Sequence, residues 1–370
     1  MAPSTVCVRL ACSALDPPRI PALRLVLLGW LVARASGGRL LVRLAGDCIE
    51  AHPALLEALA WLRIDEHEAL EIAVADPDDL PGQASQDVQA GVTHLVVDAF
   101  PDQVAGYTAR YEALGLPAPA LLALPPLVDA GGKPLASDDP SLLLETYRTS
   151  HLPGALANYL ALTAWDSGLQ HEVYTLEQIE HLFVPGRIRT DPAVFDAERL
   201  RWFNNRHLQR MSPEGLAHYM IPLLRAAYPS AERVSDGWLT KLIRIFQDEM
   251  ALLTDIIEVT SFYFGYEDVH MSGAALDALR QPPAGPAFDA FVTLFAPLED
   301  LNLELAIANL QRLRDDFHER YAWTGRQTFT PLRAALTGSL EGPPLADIVN
   351  LLGLQECLRR VEVARRLAGL

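Results

Sequence analysis

Up to about residue 124, short apolar runs alternate with stretches of helical spacing, and few folds accept that order. Residues 4–11 read as a buried strand, followed by a proline-rich turn and a helix over 21–35. A strand at 39–45, a helix across 54–62, strands at 70–75 and 93–98, a helix through 107–114 and a strand near 121–123 complete the alternation. This predicts an α/β domain with a doubly wound parallel sheet. From Ser141 onward the strand signal fades and apolar residues recur at helical spacing, as in Leu156, Tyr159, Leu160 and Leu162. We therefore expect an all-α C-terminal region, divided into two bundles by Gln-Pro-Pro-Ala-Gly-Pro at 281–286, with Gly342-Pro343-Pro344 marking a turn inside the second.

With 370 residues, half of them apolar, the chain can bury two or three cores, and its 27 prolines suit several short linkers. The longest apolar run, 20–35, is interrupted by Pro21, Arg24 and Arg34 and is too short to span a bilayer, so no membrane contact and a cytoplasmic location are expected. Cys7, Cys12, Cys48 and Cys357 form no C-x-x-C pair and no dense even framework, and are read as buried thiols. His171-Glu172 with His181 lacks the four-residue ligand step, so no metal site is expected. The formal charge of −17 is shared evenly, −9 over residues 1–150 and −8 over the remainder. Neither half carries a basic footprint, which argues against DNA and requires any RNA partner to be held by local clusters of positive charge.

Three stretches carry a family resemblance: 142–168 (LLLETYRTSHLPGALANYLALTAWDSG), 191–208 (DPAVFDAERLRWFNNRHL) and 331–353 (PLRAALTGSLEGPPLADIVNLLG). All three resemble bacterial-type glutamyl-tRNA synthetase, most specifically at Asn158-Tyr159-Leu160-Ala161-Leu162 and Ala335-Leu336-Thr337-Gly338. At the N-terminus, Arg9, Ala11, Ser13, Ile20, Arg24, Leu27, Trp30, Leu31, Ala33 and Arg34 fall in step with the family's first strand and helix. The resemblance runs over nearly the whole chain. It implies a Rossmann-type catalytic-like domain over 1–138, a helical stem-contact-like linker over 139–200, and two anticodon-binding-like helical bundles over 201–285 and 286–370.

The family's chemistry is attack of an amino-acid carboxylate on the α-phosphate of ATP, so its site must hold polyanionic phosphate. Its first signature, His-Ile-Gly-His at a helix start, is matched here by Arg19-Ile20-Pro21-Ala22. Proline offers no N–H to an anion and Ala22 adds a Cβ, although Arg19 is still a cation. The family's Pro-Ser-Pro-Thr-Gly turn has become Cys12-Ser13-Ala14-Leu15-Asp16. Its mobile Lys-Leu-Ser-Lys-Arg loop is matched by Pro134-Leu135-Ala136-Ser137-Asp138, where two cations have become a hydroxyl and a carboxylate. One charge pair at ~5 Å and an effective dielectric of ~20 is worth roughly 3 kcal/mol, so the exchange removes several powers of ten in rate. Only Lys133 and Lys241 are lysines, and Lys133 aligns with the residue before the signature. Two acidic signatures are likewise replaced, by Arg43-Leu44-Ala45-Gly46-Asp47-Cys48 and by Val97-Asp98-Ala99-Phe100-Pro101. The family's long insertion that grips the tRNA acceptor end is reduced to 76–86, read as a loop too short to fold as a domain.

The degenerate ATP and glutamate positions are thus Arg9, Ser13, Arg19, Arg24, Lys133 and Ser137, with no catalytic residue and no cofactor expected, ATP entering only with residual activity. Arg9, Ser13 and Arg24 match positions near the substrate, but serve equally as packing polar groups. Arg199, Arg206 and Arg210 lie along one side of a helix with Trp202 and Phe203 interleaved, an RNA-facing edge or a solvated charged face. Arg326 and Arg333 match basic positions in the region that reads the anticodon in the family. Tyr263-Phe264-Gly265-Tyr266 is read as core. The expected function is that of a non-catalytic, tRNA-binding or regulatory relative. The alternatives are a protein-interaction scaffold without RNA, having a protein partner, and an active glutamate-tRNA ligase.

Overall fold

The computed structural model describes residues 5–10, 17–45, 52–64, 70–75, 79–98, 104–124, 126–135, 139–265, 271 and 273–370. The chain divides into two compact units, 1–207 and 208–370.

In the first unit β1 (Thr5–Leu10), β2 (Arg39–Ala45), β3 (Leu70–Ala75), β4 (Val92–Asp98) and β5 (Ala120–Leu124) form one sheet in the order β3-β2-β1-β4-β5, every neighbouring pair parallel. Helices α1 (Ile20–Ala35), α2 (His52–Trp61), α3 (Leu80–Gln89) and α4 (Val104–Ala113) make the crossovers. The chain moves outward from β1 to β3 and then returns to β4, so right-handed crossovers place α1 and α2 on one face and α3 and α4 on the other. Strand alternation follows that division. Val6, Val8, Leu40, Val42 and Val96 join the large core with α1, whereas Cys7, Leu41, Leu95 and Val97 form a small separate core with Tyr107 of α4 against it.

α1 is apolar on every side, with Ile20 and all of residues 22–33 buried. A helix of this kind must be covered all round. One side lies on β1, β2 and β4; another meets α6 (Pro153–Leu162) and α7 (Leu176–Leu182), which follow the short α5 (Glu145–Arg148). Pro21 occupies the first turn, where its missing N–H has no intrahelical acceptor to lose.

Two features differ from the sequence reading. Residues 76–86, read as a loop, contain the start of α3, which is capped by Asp79 accepting the Gly82 N–H at 2.8 Å, with Pro81 in its first turn. Its polar, glycine-containing sequence has no apolar period to announce a helix. Past Ser141, where the strand signal fades, Ala193–Val194 (β7) pairs in parallel with Leu127–Val128 (β6) as a two-stranded sheet too short to leave a periodic trace.

After α8 (Ala197–Arg210), the second unit holds α9 (Pro213–Ala227), α10 (Asp236–Phe246), α11 (Asp255–Val259), α12 (Ser261–Phe264), α13 (Gly273–Leu279), α14 (Ala284–Phe295), α15 (Leu303–Tyr321), α16 (Gly325–Thr337), α17 (Leu345–Leu352) and α18 (Leu354–Ala368). The 281–286 stretch turns the chain from α13 into α14, and both helices pack on α16 and α18. Helices on either side of that break therefore share partners. Among the described residues no helix is long and apolar enough to cross a membrane.

Gly29 of α1 faces Val8 and Leu40, and a Cβ there would stand 2.5 Å from Val8 Cγ2. Val8 is β-branched and held in the sheet, so it yields little. Overpacking of about 1–3 kcal/mol exceeds the gain of about 1 kcal/mol from replacing a helical glycine. Gly29→Ala is expected to lower the urea midpoint, whereas Gly106→Ala in α4, with nothing within 4 Å, raises it slightly.

Candidate functional site

In a doubly wound sheet the ligand crevice lies beyond the strands' carboxyl ends, where the strand order reverses; here that is beside β1 and β4. Arg9 sits one residue from the end of β1, paired in register with Arg43 of β2. Both side chains lie on the α3/α4 face. There Arg9 forms an ion pair with Asp87 of α3, and Arg43 Nε stands 3.1 Å from the other carboxylate oxygen. The Arg43 contact is close enough for an ion pair but is not aligned as a hydrogen bond. Tyr111 of α4 donates its hydroxyl to Asp87 Oδ2 at 2.6 Å, and Arg43 Nη1 donates to Gln86 Oε1 at 2.8 Å. The Asp87 side chain is 1% exposed and that of Arg43 6%. Burial and the Asp87 hydrogen bond push the Tyr111 phenol up to about 12, and burial with the nearby Asp87 charge pushes the Cys7 thiol up to about 12. Burial works against the charge on Arg9; Asp87 and Tyr111 more than offset it.

The other first-unit candidates are scattered. Arg24, 2% exposed, donates from Nε to Thr163 Oγ1 at 2.9 Å, at the carboxyl end of α6, where a cation meets the helix dipole. It lies on α1, across the sheet from the Asp87 cluster. Arg19 donates from Nη1 to the Asp139 carbonyl at 3.1 Å, and its backbone bridges Leu143. Lys133 is exposed at a turn whose backbone is held by Asp129 Oδ1, which accepts from the Gly131 and Lys133 N–H groups. Ser13 and Ser137 lie outside the described residues, as do Cys12, Cys48 and Tyr266. The structure thus separates Arg9, Arg19 and Arg24. A packing role accounts for each.

On α8, Arg199 and Arg206 lie 5.0 and 5.5 Å from the Trp202 ring centroid, while Phe203 is buried. Arg199 also pairs with Glu172. Arg199 borders a cavity of about 370 Å³ walled also by Asp166, Glu172, Arg189 and Asp191, which sequence reasoning did not anticipate. Arg210 lies in the second unit.

In that unit α16 presents Arg326 and Arg333 seven residues apart, about two turns, on one side. Arg326 is exposed and borders a cavity of about 450 Å³ with Gln281, Trp323 and Gln327. Arg333 borders another of about 420 Å³ with Glu249, Glu341, Thr337 and Gly342, and its Nη1 is buried with no hydrogen-bond partner among the described residues. Burial pulls its pKa down, partly countered by Glu249. Gly342 has φ +131°, a backbone conformation that favours glycine, and a Cβ there would stand 3.3 Å from Arg333 Nη1. The neighbouring Ala335-Leu336-Thr337-Gly338 motif is a helix terminus: Gly338 takes φ 73°, and buried Arg360 donates to the Leu336 carbonyl at 2.5 Å. Tyr263 and Phe264 are half-buried rings packed with Trp238 and Tyr228, while Phe262 is in the core.

Residues 215–365 match the anticodon binding domain family. The chain is 29% identical over 285 residues to the glutamate-tRNA ligase of Desulfitobacterium hafniense (strain Y51), covering 74% of this chain and 57% of that protein. It is 24% identical over 258 residues to that of Bacillus subtilis (strain 168), covering 68% and 52%. Over these spans the chain is similar to glutamate-tRNA ligases, and residues 215–365 to the anticodon binding domain family. It spans little more than half the length of these relatives. In fold it is similar to a glutamate tRNA ligase from Elizabethkingia meningosepticum CCUG26117 in complex with its amino acid, at TM-score 0.79 and 16% identity, covering 98% of this chain and 99% of the other. Against that family background, Asp87, Tyr111 and Arg43 are the residues sequence reasoning missed: Asp87 lay just past a segment read as a loop.

Tyr147 and Tyr159 are also pushed up to about 12, in each case chiefly by burial. A phenol whose folded pKa is raised contributes stability in full below the unfolded value near 10, and that contribution is lost as pH rises through about 12. Alkaline titration should show phenolate absorbance from these three tyrosines rising together with loss of circular dichroism, and Tyr111→Phe should remove one of the three.

Proposed function

We propose that this protein binds tRNA through its helical second unit without activating an amino acid. The observation that carries the reading is Arg333. It is a half-buried guanidinium whose Nη1 is unpartnered among the described residues, held open by a glycine on the wall of a 420 Å³ cavity, within the segment that matches the anticodon binding domain family. A buried donor without a partner is rare in a folded protein, and a nucleobase edge or phosphate oxygen satisfies it. Arg326, two turns away, supplies further local positive charge on a chain of net charge −17. The domain divisions at 138/139, 200/201 and 285/286 belong to this reading as well.

Absence of catalysis rests on the replaced signatures and on the engaged first-unit candidates. Arg19, which stands at the phosphate-binding helix start of the family, is turned onto the Asp139 carbonyl, and Pro21 removes an N–H from that start. Arg9 is neutralised from within by Asp87. A protein-interaction scaffold without RNA is the second reading, favoured by the ion pairs that occupy Arg225, Arg314, Arg320, Arg359, Arg365 and Arg366 in the second unit.

A titration with glutamate tRNA at several salt concentrations tests the proposal. Binding should weaken steeply as salt rises, and Arg333→Gln should weaken it roughly tenfold or more while leaving the melting temperature near that of the wild type. No binding at low salt, together with a stoichiometric protein partner on purification, selects the scaffold. Glutamate-dependent pyrophosphate exchange should stay at background, and exchange at an ordinary enzymic rate would overturn the non-catalytic reading.

A further inference from the structure

Two arginines on adjacent strands, Arg9 and Arg43, converge on a single carboxylate that comes from a crossover helix rather than from the sheet. Tyr111 donates to the same carboxylate at 2.6 Å. Two hydrogen-bond donors, from β1 and α4, and a second cation from β2 that faces the carboxylate without hydrogen-bond alignment surround one oxyanion, much as proteins hold a bound carboxylate. The bound group here is Asp87. We propose that β1, β2 and α4 form a carboxylate-binding site whose resident ligand is the Asp87 side chain, delivered by α3, so that the first unit carries its own occupant where a free small carboxylate would otherwise bind.

The supporting observations are geometric. The Asp87 side chain is 1% exposed, so the carboxylate is withdrawn from solvent. Arg43 Nε and Asp87 Oδ1 face each other at 3.1 Å without hydrogen-bond alignment, and Arg9 Nε has no acceptor among the described residues. The donors are therefore not exhausted by this one side chain, whose reach is limited by its attachment to α3. Among the described residues, two guanidiniums and one carboxylate leave an excess positive charge, which a site built only to pair Asp87 does not need. α3 occupies the short connection between β3 and β4, so the same element that closes the crossover also fills the site. The proposal stands whether or not tRNA is bound by the second unit.

Asp87→Ala keeps the Cβ and deletes one carboxylate, leaving a space of the size and charge preference of a formate ion. The test is thermal unfolding of the full chain in sodium formate and in sodium chloride at equal ionic strength. Asp87→Ala should melt well below the wild type in chloride and recover in formate, by about 5 °C or more once formate exceeds its Kd a hundredfold. The wild type, already occupied, should melt alike in both salts. Recovery no greater than that of the wild type overturns the proposal. Should Asp87→Ala fail to fold in chloride, folding in formate alone supports it and failure in both salts counts against it. Asp87→Asn, which keeps the shape and removes the charge, gives an independent reading. It should melt lower than the wild type with no response to formate, and melting at the wild-type temperature would show that the carboxylate charge has no binding role.

Discussion

The first unit depends on the all-round burial of α1. A sixteen-residue helix with no polar face must be enclosed, and the enclosure comes from the sheet on one side and from α6 and α7 on another. Burying a leucine-sized side chain is worth about 1.5–3 kcal/mol, so the many large apolar residues of α1 outweigh the one charged group buried with them. That group, Arg24, is tolerated because Thr163 and the carboxyl end of α6 receive its guanidinium. The same packing keeps the sheet and the helices after it in one core.

The opposite face of the sheet follows another logic. Its apolar core is small, centred on Cys7, Leu41, Leu95 and Val97, and beside it lies the charged cluster of Arg9, Arg43 and Asp87. Buried charge needs partners, and removing one partner of such a set costs about 3–5 kcal/mol. Once α3 carries a carboxylate at this point, Arg9 becomes part of the packing. The chemistry of the sheet edge is then governed by electrostatic closure within the unit. In the second unit the reverse holds at Arg333, where a guanidinium nitrogen is buried without an acceptor among the described residues and Gly342 withholds the side chain that would cover it.

Much of the fold was legible because its signals are local. The strands at 39–45 and 70–75 and the helix over 21–35 announce themselves through apolar runs and a proline start, and the structure places β2, β3 and α1 there to within a residue. The family resemblance could be seen in Ala335-Leu336-Thr337-Gly338 because a helix terminus that needs a left-handed glycine and a buried arginine tolerates few sequences. α3 was missed because its cap and first-turn proline read as loop residues in isolation. At 281–286 the prolines mark the turn from α13 into α14 but carry no information about which helices pack across it.

For the candidate sites, sequence alone established which side chains are present: a proline at 21, a serine and an aspartate at 137 and 138, and only two lysines in the chain. Those are properties of single positions and need no partner to be read. Tertiary structure alone decided that Arg9 faces Asp87, that Arg24 lies on the other side of the sheet, and that Arg333 has, among the described residues, an unpartnered nitrogen on a cavity wall. The physical reason is that charge pairing is a matter of distance in space: Arg9 and Asp87 are 78 residues apart along the chain, and only the sheet order and the side to which α3 crosses bring them into contact.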